Sequence, residues 1–179
     1  ISSLMIAAPM CDGNIRITTD HPAEIPYLDM TIKWLKEAGI QVTYDEKEHK
    51  FFEIKGNQKY KAFDKYMPSD WSSVAFPTVA ALTPGSNLTI RNMDFKDSQG
   101  DAVVIDHLIR MGADIQKDET SGDLIIHGGK QLHGTSINTK KDHRIAMSFA
   151  IGALAADGVT EIQDADCVTI SYPNFYEDV

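Results

Sequence analysis

A period of 72 to 73 residues runs through this chain and limits what it can become. Gly39 closes Lys36-Glu37-Ala38-Gly39-Ile40, and Gly112 closes Arg110-Met111-Gly112-Ala113-Asp114. Ile15 and Ile17 alternate with polar residues after Gly13, as Leu88 and Ile90 do after Gly85, and Thr160 and Ile162 after Gly158. Ile54 maps onto Ile126 in the same way. A period of this length is one supersecondary unit used more than once. What the copies share is read as scaffold, and what one copy alone carries is candidate chemistry.

Each unit reads helix, strand, helix, strand, strand. In the first, Leu4 to Ala8 is a short apolar helix ended by Pro9 and Gly13, and Asn14 to Thr18 alternates as a strand. Pro26 to Ala38 is an amphipathic helix, with Leu28, Thr31, Ile32 and Leu35 on one face, Pro26 in its first turn and Gly39 at C′. Gln41 to Tyr44 and Phe51 to Lys55 form a hairpin around an acidic, solvated tip at Asp45, Glu46 and Glu48. The second unit repeats the order: helix Ser72 to Leu82, strand Asn87 to Arg91, helix Ala102 to Met111, then Asp114 to Gln116 and Asp123 to His127. The third gives helix Arg144 to Ala155 and strand Thr160 to Gln163. The fold class is α/β, and units of this kind must pack on one another to cover their helices.

Charge excludes one class of partner. At pH 7 the 179 residues carry a net charge of −9, without a long run of Lys or Arg, which argues against nucleic acid. Small anions need only a local cation cluster and stay open. The longest apolar runs are too short for a membrane span. Cys11 and Cys167 are too few for a disulfide framework and lack CxxC spacing, so no zinc site is expected and a cytoplasmic setting is. Asp94, Asp97 and Asp101 do not form a calcium loop. His21, His49, His107, His127 and His133 lack ligand spacing and are expected at the surface or in hairpins, and Trp34 and Trp71 are packing residues. No glycine-rich phosphate loop is present.

The start of the first helix separates the copies. Asp70-Trp71-Ser72 and Asp142-His143-Arg144 occupy equivalent places. The shared Asp is an N-cap, accepting from unpaired backbone N–H groups. His143 and Arg144 have no counterpart in the second unit. A cation in a first helical turn opposes the helix dipole. A helix N-terminus with an added Arg fork can instead hold a phosphate or carboxylate. A surface Arg is the alternative.

Asp142-His143-Arg144-Ile145-Ala146-Met147, followed by Tyr172-Pro173-Asn174-Phe175, resembles the end of the 5-enolpyruvylshikimate-3-phosphate synthase family. Ser2 to Pro9 is similar to its S-A-L-L-x-A-A-P helix, and Pro26-Tyr27-Leu28-Asp29-Met30-Thr31 to its P-Y-[IV]-D-[MI]-T helix. Ser69 to Phe76 is similar to its G-D-x-S-S-A-x-F segment and Ser98-Gln99-Gly100-Asp101 to its Q-G-D turn. The order is kept over nearly the whole chain. The resemblance implies βαβαββ units of the enolpyruvyl transferase type, six in two domains (an inside-out α/β barrel). It implies a cofactor- and metal-independent transfer of the enolpyruvyl group of phosphoenolpyruvate to the 5-hydroxyl of shikimate 3-phosphate, in aromatic amino-acid and chorismate biosynthesis. It also implies a monomer when intact. Arg144 matches the family's phosphoenolpyruvate-binding Arg, His143 the His beside it, and Tyr27 a Tyr near the phosphoshikimate side.

The departures matter. Glu24 stands where the family has Ser, and Ile170 where it has Lys. Its S-S-Q motif would precede Ile1. Its K-S-x-x-x-R, N-x-G-T, P-D and K-E-[ST]-[DN]-R motifs are not recognisable, so low activity is expected of this chain by itself. The last two belong to a unit expected between Gly128 and Asp142, with the junction near Thr135 to Lys141. Residues 1–56 and 57–134 are therefore expected in one domain of the intact enzyme and 135–179 in the other. Two alternatives are a non-catalytic α/β repeat domain and a protein similar to UDP-N-acetylglucosamine enolpyruvyl transferase, which lacks the D-H-R helix start.

Overall fold

The computed structural model describes residues 1–83, 86–96 and 99–179. Gly85, Asp97 and Ser98 lie outside the described residues. The chain divides into two compact units, residues 1–67 with 98–100, and residues 68–97 with 101–179. The expected division does not coincide with this one. Residues 57–67 group with 1–56, and the second and third repeats share one core. Ile137, Ile145 and Phe149 of the third repeat are buried in one cluster with Trp71, Val79, Leu108 and Ile126 of the second. A repeat cannot cover its helices alone, and here the second and third copies cover each other.

In the first unit, helix α1 (Ser2–Ala7) leads to strand β1 (Ile15–Thr18), helix α2 (Ile25–Glu37) and strands β2 (Val42–Tyr44) and β3 (Phe51–Ile54). The sheet is antiparallel with β3 central, and Ile54 faces both Ile15 and Val42. Leu28, Ile32 and Leu35 follow the helical period and are buried against Met5, Phe52 and Ile54. The left-handed conformation that ends α2 is why Gly39 (φ +82°) sits there, and Gly112 (φ +96°) recurs for the same reason after the equivalent helix. Two other residues are buried more deeply than the sequence suggests, one in each unit. His49, in a left-handed turn of the first unit, folds back under its hairpin at 6% exposure and bonds Asp29 Oδ1 through Nε2 at 2.8 Å.

In the second unit, helix α3 (Trp71–Leu82), strand β4 (Asn87–Ile90), helix α4 (Val103–Arg110) and strands β5 (Asp114–Asp118) and β6 (Asp123–His127) repeat that order. β6 is central, and Ile126 lies between Leu88 and Ile115. His107 on α4 is also buried at 6%, with its ring edge-on to Phe149. It contacts Arg110, and burial and then the Arg110 charge hold its pKa below the usual histidine value.

The third repeat follows in the same unit: strands β7 (Leu132–His133) and β8 (Ser136–Asn138), helix α5 (His143–Ala153), and strands β9 (Ala156–Asp157) and β10 (Glu161–Gln163). β7 pairs with β9 and β8 with β10, both in parallel, so α5 is the crossover of a βαβ unit. A 3₁₀ turn at Ala165–Ile170 and helix α6 (Phe175–Asp178) complete it, with Val168 and Phe175 packed on Ala146 of α5.

Candidate functional site

The capping residues behave alike in the two copies. Asp70 and Asp142 both have extended backbone (φ −83°, ψ 116° and φ −91°, ψ 116°) and each accepts from the backbone N–H two residues on. The bonds are Ser72 N to Asp70 Oδ1 at 3.1 Å and Arg144 N to Asp142 Oδ1 at 2.8 Å. Asp70 spends its remaining capacity on the hydroxyls of Ser72 and Ser73. Asp142 Oδ2 instead accepts from Arg144 Nη2 at 2.9 Å.

The loop that delivers α5 is tightly built. β8 ends at Asn138, and the buried Thr139 donates its hydroxyl to the Gln163 carbonyl at 3.0 Å. Its Oγ1 also accepts from Lys141 N at 3.0 Å, and its carbonyl accepts from Asp142 N at 2.9 Å. Lys140 N donates to Asn138 Oδ1 at 2.9 Å. These bonds hold Lys140 and Lys141 in consecutive left-handed conformations, φ +51° and +64°. Non-glycine residues there cost on the order of 1 kcal/mol or more each and persist only when the surroundings impose them. The result is two exposed lysines immediately before the capped N-terminus of α5. In a βαβ unit that end lies at the carboxyl side of the strands, where ligands of α/β folds bind.

Arg144 is not a free surface cation. Its Nε reaches Asp101 Oδ1 at 3.3 Å and its Nη2 reaches Asp101 Oδ2 at 3.2 Å, a two-pronged contact. The Asp101 side chain is 1% exposed and the Arg144 side chain 24%. The guanidinium thus lies between a buried carboxylate and the capping carboxylate. This answers the expected clash between a first-turn cation and the helix dipole: two anions surround it. His143, the first residue of α5, is half-buried beside it. Behind the site, burial pushes the Cys167 thiol pKa up, against the opposing effect of the Thr139 hydroxyl.

His143 and Arg144 are therefore brought together, as adjacent residues of one helix start. Tyr27 lies in the other unit, half-buried in the first turn of α2, where its carbonyl accepts from Thr31 Oγ1 at 2.8 Å. Glu24 precedes it in a left-handed conformation (φ 53°) at the N-cap and makes no side-chain cap bond. Among the described residues, no group of three or more His, Cys, Asp or Glu could hold a metal ion, and no helix is long and apolar enough to cross a membrane.

Lys140 and Lys141 were not singled out by the sequence reading, and Asp101 was read only as part of the Q-G-D turn and of an acidic run that makes no calcium loop, although the repeat held the signal. Seventy-two positions earlier, Lys140 and Lys141 correspond to Pro68 and Ser69, so both cations belong to the third copy alone. Asp101 stands 73 positions after Leu28, a buried residue of α2.

Comparison with known proteins agrees with this organisation. The family model for EPSP synthase (3-phosphoshikimate 1-carboxyvinyltransferase) matches residues 1–123 and 103–179. A 3-phosphoshikimate 1-carboxyvinyltransferase of Methanosarcina acetivorans is 33% identical over 170 residues, covering 94% of this chain and 39% of the relative. That of Ruminiclostridium cellulolyticum is 27% identical over 249 residues, covering 100% of this chain and 58% of the relative. This chain thus spans 39% to 58% of the length of these relatives. The enolpyruvyl transferase NikO from Streptomyces tendae shares the fold at a TM-score of 0.59, with 17% identity over 87% of this chain and 36% of that one. The repeated α/β units, the capped helix starts and these matches lead to one conclusion: the chain belongs to the EPSP synthase (3-phosphoshikimate 1-carboxyvinyltransferase) family.

Proposed function

We propose that this chain is part of an enzyme that moves the enolpyruvyl group of phosphoenolpyruvate onto the 5-hydroxyl of shikimate 3-phosphate. The hydroxyl oxygen forms the new bond to C2 of the enolpyruvyl group, the C2–O bond to phosphate breaks, and phosphate leaves with that electron pair and the hydroxyl proton. Within the chain, the start of α5 binds the anionic groups of phosphoenolpyruvate, with Arg144 as the principal contact and His143 beside it. One observation carries this reading: an Arg fork, a capped helix N-terminus and two lysines in imposed left-handed conformations converge on one helix start. Backbone N–H groups, a guanidinium and ammonium groups are what a phosphate or carboxylate needs. Tyr27 contributes on the shikimate 3-phosphate side.

The intact enzyme holds at least one repeat that this chain lacks. Two observations support this. Residues 103–123 match the family model twice, and the 249-residue alignment exceeds the 179 residues of this chain by 70, close to one period. The Methanosarcina alignment, over 170 residues, shows no such excess.

A second reading has its own observation. Arg144 already meets two carboxylates, as a purely structural tie would. Calorimetric titration with phosphoenolpyruvate separates the two. If Arg144 is the principal contact, Arg144→Ala weakens binding by at least roughly tenfold, the loss of one charge-assisted pair. Unchanged binding in that variant makes Arg144 structural and removes the proposal's basis.

A further inference from the structure

Position 101, in the 3₁₀ turn Gly100–Ala102 that leads into α4, is where the second copy departs from the repeat. Helices α2 and α4 align with Ile32 matching Ile105 and Leu35 matching Leu108, all four buried. The same register sets Leu28 (4% exposed) against Asp101 (1%). A core place filled by leucine in one copy holds a carboxylate in the next. An ionised carboxylate removed from water is costly unless a cation meets it. The cation that meets this one is Arg144, 43 residues away in sequence and itself without a counterpart in the second repeat. Two exceptions to the scaffold therefore bond to each other, and local departures from a consistent pattern concentrate where function resides.

We infer that Asp101 is a positioning residue for phosphoenolpyruvate binding. Its two oxygens set the plane and reach of the Arg144 guanidinium without touching the ligand. The inference rests on the anion-binding reading of Arg144. A long arginine side chain loses rotamer freedom when it grips a ligand, and a fork held in place before binding has less to lose. Asp101 supplies that hold from the core, where it cannot swing away, and Asp142 supplies a second hold from the helix cap.

Electrostatics alone would have the opposite consequence, which makes the inference testable by sign. A negative charge near an anion site repels the anion, so neutralising Asp101 strengthens binding if charge is its only influence. If Asp101 positions Arg144, neutralising it weakens binding. The experiment titrates the full 179-residue chain with phosphoenolpyruvate, as wild type, Asp101→Asn, Arg144→Ala and the double variant, with thermal unfolding as a check on folding. Asn keeps the size of the side chain and one acceptor. We expect Asp101→Asn to bind roughly tenfold more weakly, a coupling typical of residues in contact, and to have no further effect once Arg144 is Ala.

Equal or tighter binding by Asp101→Asn, with Arg144→Ala still impaired, overturns the positioning role and leaves the anion site standing. Unchanged binding in Arg144→Ala overturns the anion site itself. Should Asp101→Asn fail to fold, Asp101→Glu replaces it. That variant keeps the charge and displaces the carboxylate by one methylene, so weaker binding is expected and unchanged affinity overturns the inference.

Discussion

Asp70 and Asp142 show how one residue type serves scaffold in one copy and a candidate site in another. Both cap a helix, but Asp70 bonds two serine hydroxyls and Asp142 a guanidinium. Removing the cap in Asp70→Ala is expected to cost about 1 kcal/mol, read as a lower urea midpoint at neutral pH. The pH dependence has a definite sign. Burial pushes the Asp70 pKa up, but hydrogen bonds from Ser73 and Ser72 outweigh it and hold the pKa below the usual carboxylate value. A lowered native pKa gives stability that is present above about pH 4 and lost as pH falls through the native value. The difference between wild type and Asp70→Ala should therefore shrink in acid, and a difference that persists unchanged at low pH contradicts the role. Both caps were legible in the sequence, and so was the singularity of His143 and Arg144. Asp101 was harder to see, because it sits in a 3₁₀ turn ahead of α4, outside the helical period, and its partner comes from the next repeat.

At the scale of elements, the helices were legible because burial writes its period into them. Of the four residues that the spacing selected on α2, Leu28, Ile32 and Leu35 are buried and Thr31 is half-buried. The three-stranded sheets were legible through alternation in β1 and β4 and through the hairpins that hold β3 and β6. Strands β7, β8 and β9 were missed: β7 and β9 have two residues each, too few to show a period of two, and β8 has a single apolar residue, Ile137. Their pairing with β9 and β10 nevertheless makes α5 a crossover helix and fixes its N-terminus at the strand ends. The anchor of α5 is Phe149, at 0% exposure and edge-on to His107. Phe149→Ala is expected to destabilise the unit by about 3–5 kcal/mol, the usual cost of emptying an aromatic core site. Urea unfolding followed by Trp71 fluorescence in a Trp34→Phe background measures it. A loss below about 1 kcal/mol would mean that α5 is not anchored through this ring.

At the scale of the whole molecule, the repeat leaves one thing open. In this chain the second and third copies bury one another's helices, and the division falls near Met67 and Pro68. A period reports how many units exist and leaves open which of them share a core. Family membership was legible because five short motifs keep their order, and the matches over residues 1–123 and 103–179 bear it out. On the proposed function, the helix start at Asp142, His143 and Arg144 binds phosphoenolpyruvate while this chain alone does not complete the transfer. A ³¹P NMR titration of phosphoenolpyruvate, repeated with shikimate 3-phosphate present, tests both halves in one spectrum. The expected result is a saturable shift or broadening of the phosphoenolpyruvate signal with no growing signal of inorganic phosphate. A phosphoenolpyruvate signal unaffected by the protein, or phosphate released at the rate of the intact enzymes of this family, would contradict it.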